Sequence, residues 1–379
     1  MTESRLRGGI AVAVLASCTA MVAVTPSTAT TPSSATKPDS ATVRTALPSS
    51  IGLTAVSVAP GTSKAWAVGN ASDGEDTLTG TILRDTGTGW ATVGYPAPAG
   101  QAVFSDVTTG SPKASWVIGN VQNDRKGTDK PIVLHSTGGR FTGQSLPGPA
   151  NAILISASAS SPTNAWIVAN TAGRRPTPRA YRLTAGKWRA MPLPPLARTR
   201  RVVSVSTSGS HNTWVLAPGH NGGRSVMLHW NGQRWAKSRL PDPPARDFEL
   251  AIATSGPHNA WVVGFTAGRP AVPLSWHWNG RRWTRTNTPN QAGIMLFDVA
   301  TYGHNAVAVG FSDSGAAVMR YASGKWRIDT ADQHGDGPAL ASVAASSRFQ
   351  IAVGENFNGT KLEPLIEIRD GSHWRRAAV

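Results

Sequence analysis

Two series of bulky residues run through the sequence in step. The first is Trp66, Trp116, Trp166, Trp214, Trp261, Val307 and Ile351, at intervals of 50, 50, 48, 47, 46 and 44 residues. The second follows 19 to 25 residues behind as Trp90, Phe141, Trp188, Trp235, Trp283, Trp326 and Trp374. The stretch from Ala251 to Trp283 shows what one interval contains. Short β-branched and aromatic runs (AIAT, AWVVG, LSWHW, RRW) are separated by turn residues, which reads as four short strands. A unit of four strands cannot bury its own faces, so it must stack on copies of itself. Seven such copies predict an all-β chain, a seven-bladed β-propeller of four-stranded antiparallel blades over residues 51–379.

The finer pattern agrees. The innermost strands read LTAVSV, VFSDVT, ILISAS, VVSVST, FELAIA, LFDVAT and LASVAA, with small residues suited to a crowded axis. The turns before the second strand place Asn164, Asn212, Asn259 and Asn305 where an amide can cap the backbone and left-handed angles are tolerated. His211, His258 and His304 precede three of them, a blade apart, and so suit turn chemistry rather than a shared metal. Asn-Gly or Gly-rich hairpins join the last two strands, as in HWNGQRW, HWNGRRW, ASGKW and RDGSHW.

That hairpin resembles the Asp-box of sialidase-type propellers, without its Ser-x-Asp lead-in. The AWxVG and HWNGxxW pair over residues 53–379 resembles the repeats of secreted actinobacterial propellers grouped with the galactose-oxidase central domain. The resemblance implies fold, not activity. Galactose oxidase needs a tyrosine cross-linked to cysteine around copper, and the propeller has no cysteine. Tyr95, Tyr181, Tyr302 and Tyr321 complete no sialidase set. No cofactor is expected.

The chain opens with Arg5 and Arg7, an apolar run and small residues at Ser27 to Ala29, the pattern of an export signal over residues 1–29. Leu15-Ala16-Ser17-Cys18 also resembles a lipobox, so Cys18 is either a lipidated anchor or part of the signal core. Residues 30–50 form a Ser/Thr/Pro-rich linker. No later apolar run is long enough to span a membrane. The expectation is an extracellular or cell-surface monomer.

Charge supplies the candidate site. In a propeller the loops joining second to third strands share a face with those joining successive blades. Blades 3 and 4 load that face with Arg174, Arg175, Arg179, Arg198, Arg200, Arg201 and Arg224. The opposite sector carries Asp73, Glu75, Asp76, Asp329, Asp332, Asp336 and Glu355. Guanidinium forks suit carboxylate or phosphate oxygens, while the same charges also serve solubility. Asp332, His334 and Asp336 with Glu355 form a possible divalent-ion set, though wet acidic loops of this kind are common. The net charge of +16 would fit nucleic acid, but export argues against that partner. Three functions follow: a non-catalytic binding module for an anionic wall polymer or acidic glycan, a platform for an extracellular protein, or a polysaccharide hydrolase or lyase using the acidic sector.

Overall fold

The computed structural model describes residues 50–72, 78–122, 130–173, 175–196, 201–219, 224–241, 247–289, 291–329, 337–346, 349–369 and 371–379. Seven four-stranded antiparallel sheets, each built from consecutive strands, occupy residues 51–92, 101–144, 152–191, 204–239, 247–285, 295–329 and 339–376. These are blades 1 to 7, with the first strand of each innermost. The described residues contain no helix.

The ring closes face to face. Blade 7 supplies all four of its own strands. Its innermost strand, Ala339–Ala345, lies against Ile51–Val58 of blade 1, where Val56 N–H donates to Ser342 Oγ at 3.3 Å. Leu362 N–H donates to Ser50 Oγ at 3.2 Å across the same seam. An outer strand from Thr42 to Leu47, the other closure the sequence allows, lies outside the described residues.

The two aromatic series are the halves of one joint. In blades 1, 3, 4 and 5 the second-strand tryptophan meets the outermost-strand aromatic of the next blade edge to face, as with Trp66 on Phe141 at 5.2 Å, Trp214 on Trp283 at 5.2 Å and Trp261 on Trp326 at 5.3 Å between ring centres, and Trp116 shares a core with Trp188. Val307 shares a core with Trp374, and Ile351 with Trp90, so the smaller residues of blades 6 and 7 keep the joint and close the circle. Each edge-to-face pair adds about 0.5–1.5 kcal/mol beyond its buried area. The glycine three residues on has a steric cause. A Cβ on Gly119 would sit 2.0 Å from Val103 O, because the innermost strand presses against it there.

The Asn-Gly hairpins form as the sequence predicts. Asn231 Oδ1 accepts N–H bonds from Gln233 and Arg234, and Asn279 Oδ1 from Arg281 and Arg282. Gly232 takes the left-handed angle the turn requires, φ +96°. His211 packs over Gly232 and His258 over Gly280, whereas His304 makes no such contact with Gly324. The asparagines of the other turn depart from expectation. Asn164, Asn212 and Asn259 begin the second strands, are buried, and do not take left-handed angles. Their amides instead reach into the next blade, as when Asn212 Nδ2 donates to Thr254 Oγ1 at 3.1 Å. A strand start is already paired, so the amide is free for cross-blade use.

Candidate functional site

The antiparallel order sends the second-to-third-strand loops and the blade-to-blade connections out on one side of the disc. Arg175, Arg201 and Arg224 lie on that loop face and are exposed. Arg179 is exposed too, but sits in the strand Pro178–Thr184 opposite Ala169 rather than in the loop. Strand pairing simply begins sooner than the arginine run suggests. Arg174, Arg198 and Arg200 lie outside the described residues, as do Asp73, Glu75, Asp76, Asp332, His334 and Asp336.

Two acidic residues of the opposite sector are described, and they differ. Asp329 is structural. It pairs with Arg320 Nε at 2.5 Å and Arg369 Nε at 3.4 Å and accepts from Trp374 Nε1 at 3.1 Å, bracketing blades 6 and 7. Glu355 lies in the loop-face half of the second strand of blade 7, Gln350–Phe357. Its Oε2 fills the space where a Cβ on Gly52 would stand, so the carboxyl lies over the start of blade 1, and burial raises its pKa.

Charge counting in the loops passed over the axis. One innermost-strand position reads Ala55, Asp106, Ser156, Ser204, Ala251, Asp298 and Ser342 around the ring. Its oxygen accepts a backbone N–H from the next blade: Asp106 Oδ2 from Ala157 at 2.8 Å, Ser156 from Val205 at 3.3 Å, Ser204 from Ile252 at 3.2 Å, and Asp298 Oδ2 from Val343 at 2.9 Å. Ala55 and Ala251 have no oxygen to offer. Each is followed around the ring by an aspartate whose second oxygen takes the N–H the alanine leaves over, Val107 to Asp106 Oδ1 and Val299 to Asp298 Oδ1, both at 2.8 Å. Enclosure at the axis pushes Asp106 up to about 7, with the Asp298 charge adding to the rise, and Asp298 up to about 6. Both keep partial exposure.

A second ring lies nearer the loop face, at the residue after the Gly or Ala of the second strand. In blades 1 to 3 it holds Asn70, Asn120 and Asn170, each clamping the next blade's backbone with both amide atoms, in the innermost strand for Asn70 and Asn120 and just before it, at Val202, for Asn170. Asn120 Nδ2 donates to Ala152 O at 2.8 Å, and Asn120 Oδ1 accepts from Leu154 N–H at 2.9 Å. In blades 5 and 6 the position holds Phe265 and Phe311. With Phe297, Leu250 and Met295 they build an apolar cluster that reaches the surface. Phe248 packs at a tilt against Phe265, 5.3 Å between ring centres, and is 47% exposed. The loop face thus carries a part-exposed aromatic patch on blades 5 and 6 and an arginine-bearing rim on blades 3 and 4, with Asp106 and Asp298 on the innermost strands. Among the described residues no group of three or more His, Cys, Asp or Glu could hold a metal.

No family model matches the chain, and no curated protein matches it. Solved structures do. A structure described as YCF48 bound to D1 peptide superposes with a TM-score of 0.57 at 15% identity, covering 92% of this chain and 97% of that one. YCF48 from Cyanidioschyzon merolae gives 0.55 at 17% identity, covering 83% and 96%. The β-propeller domain of the Trilobed protease from Pyrococcus furiosus, described as having an open velcro topology, gives 0.56 at 8% identity, covering 87% and 96%. At these identities the likeness is one of fold, and the fold is the seven-bladed propeller.

Proposed function

We propose that this propeller is a non-catalytic binding module that captures an extended protein segment on its loop face, with apolar residues against the Phe248 patch and acidic ones against Arg201 and Arg224. The observation that carries this reading is that a half-exposed aromatic at the start of blade 5 and exposed guanidiniums in the connections of blade 4, the blade before it, lie on the same face of the disc. An apolar patch that runs continuously from the core to the surface marks an interaction site where a lone exposed side chain does not, and arginine and aromatic side chains are the usual anchors of interfaces. A propeller of the same fold is described with a bound peptide. The leader and the Ser/Thr/Pro tract support export, with Cys18 as the point of lipidation if the chain is anchored. The HWNGxxW hairpins support kinship with Asp-box propellers.

Panning a displayed peptide library on the full chain tests the proposal. Enriched peptides should combine aromatic or aliphatic residues with Asp or Glu, and Phe248→Ser with Arg201→Glu and Arg224→Glu should abolish enrichment. Peptides without charge preference, retained equally by the triple variant, would defeat it. A second reading rests on Glu355, a loop-face carboxyl with a raised pKa, as the acid of a polysaccharide hydrolase or lyase. It predicts shortened products from acidic glycans that vanish in Glu355→Gln.

A further inference from the structure

Two hollows open between blades on the face opposite the loops, and both sit where the repeat breaks the same pair. In blades 4 and 5 the asparagine that starts the second strand meets a third-strand histidine. His229 Nε2 lies 2.7 Å from Asn212 Oδ1, and His277 Nε2 lies 2.8 Å from Asn259 Oδ1. Each imidazole stacks on its blade's tryptophan. Blade 2 has Ala114 in the asparagine position. His135 Nε2 is buried without a partner, and a hollow of about 490 Å³ with mainly apolar walls lies beside it. Blade 3 keeps the asparagine but has Arg182 where the histidine would be, beside a hollow of about 530 Å³.

The blade 3 hollow is chemically different. Ser160, Ser161, Thr163, Ser208 and Ser210 line it together with Asn164 and Arg182. Asn164 is 7% exposed, and its Oδ1 has no hydrogen-bond partner; Arg182 Nε is likewise buried and unpaired. The guanidinium is held 5.5 Å from Trp166 and 5.9 Å from Trp230, and one nitrogen donates to Ser210 O at 3.2 Å. Among the described residues no carboxylate lines the hollow, so the guanidinium has no counter-ion from them there. An arginine fixed in orientation, beside an orphaned acceptor and a wall of hydroxyls, is complementary to a ligand carrying both an oxyanion and O–H donors.

We propose that the hollow between blades 3 and 4 binds a small hydroxylated oxyanion, of the kind presented by an acidic sugar residue. The guanidinium takes the oxyanion, Asn164 Oδ1 accepts a ligand O–H, and the serine hydroxyls turn to suit the rest. A neutral sugar leaves the charge unanswered. Lying on the opposite side of the disc, this site is independent of the loop-face reading.

Titration calorimetry on the full chain with glucuronate, glucose and inorganic phosphate tests it. Glucuronate should bind at millimolar concentration and glucose at least tenfold more weakly. Arg182→His copies blades 4 and 5, supplying Asn164 with the partner found there, so it should fold with an unchanged or higher melting temperature and lose glucuronate binding at least tenfold. Arg182→Gln, which removes the charge without that pair, should lose binding equally. Phosphate bound as tightly as glucuronate, and lost in both variants, would support the oxyanion chemistry and point to a free phosphate as its source. Equal binding of glucose and glucuronate, no binding of either anion, or binding that survives Arg182→His would overturn the proposal.

Discussion

Blades 1 to 3 and blades 5 and 6 share a backbone plan and differ at one repeat position, where they meet the next blade with opposite chemistry. On the first side Asn70, Asn120 and Asn170 stitch each blade to the next through paired backbone groups. On the second Phe265 and Phe311 occupy the same repeat position, and innermost-strand Ser158 and Ser206 give way to Ala253 and Ala300. A polar stitch satisfies itself and leaves nothing for a partner. An aromatic one needs covering, and the cluster it builds runs to the surface at Phe248. The contrast shows how a repeat array can specialise one sector without disturbing its joints: the fold needs an interblade contact at that position, and only its chemistry is free.

The largest expected effect is on the aromatic side. Phe265→Ala empties a fully packed site and should cost about 3–5 kcal/mol in denaturant unfolding; a loss under about 1 kcal/mol would mean that the cluster is surface decoration. On the polar side, Asn120→Ala leaves Leu154 N–H and Ala152 C=O buried without partners, at a cost of about 2–3 kcal/mol. Faster amide exchange at Leu154 should accompany that loss. If exchange there stays slow, the clamp is not what orders the joint.

The carboxylates at the axis come next. Their folded pKa values, about 7 for Asp106 and about 6 for Asp298, lie above the ordinary 3.8. The folded state therefore holds protons that the unfolded chain releases. This contribution is fully present below the ordinary value and is lost as pH rises through the folded values. The melting temperature should fall from about pH 4 to about pH 7, on the order of 1 kcal/mol per carboxyl after allowing for partial exposure to water, and then level off. Asp106→Asn should remove its own share of that slope, whereas a melting temperature that rises over the interval would reverse the account of the axis. The smallest effect belongs to the seam. Ser342→Ala removes the acceptor of Val56 N–H and a donor to Asp298 Oδ2, and should cost about 1 kcal/mol.

Much of this was readable from residues alone, and the rest was hidden for physical reasons. The tryptophan series declares itself because a ring that fills an interblade joint has few substitutes, and the four-strand blades follow from it. The Asn, Phe and Glu alternatives after the second-strand glycine are visible as VGN, IGN, VAN, VGF and VGE, but their meaning depends on which neighbour they touch. Asp106 and Asp298 were invisible as a device, since each compensates for an alanine about fifty residues earlier, a relation that exists only once blades are side by side. Asn212 reads locally as a turn residue; its amide serves the next blade instead. The arginine sector was legible as charge, yet sequence offered no sign that an aromatic patch adjoins it, because Phe248, Phe265 and Phe297 come from different strands.

The loop-face claim is tested most directly by amide hydrogen exchange on the full chain, with and without a peptide enriched in panning. The account predicts slowing confined to the loop-face segments around 171–178, 201–204, 217–226 and 247–250. Slowing that falls instead on the opposite turns around 160–164 and 208–212, with the loop face unchanged, would contradict it.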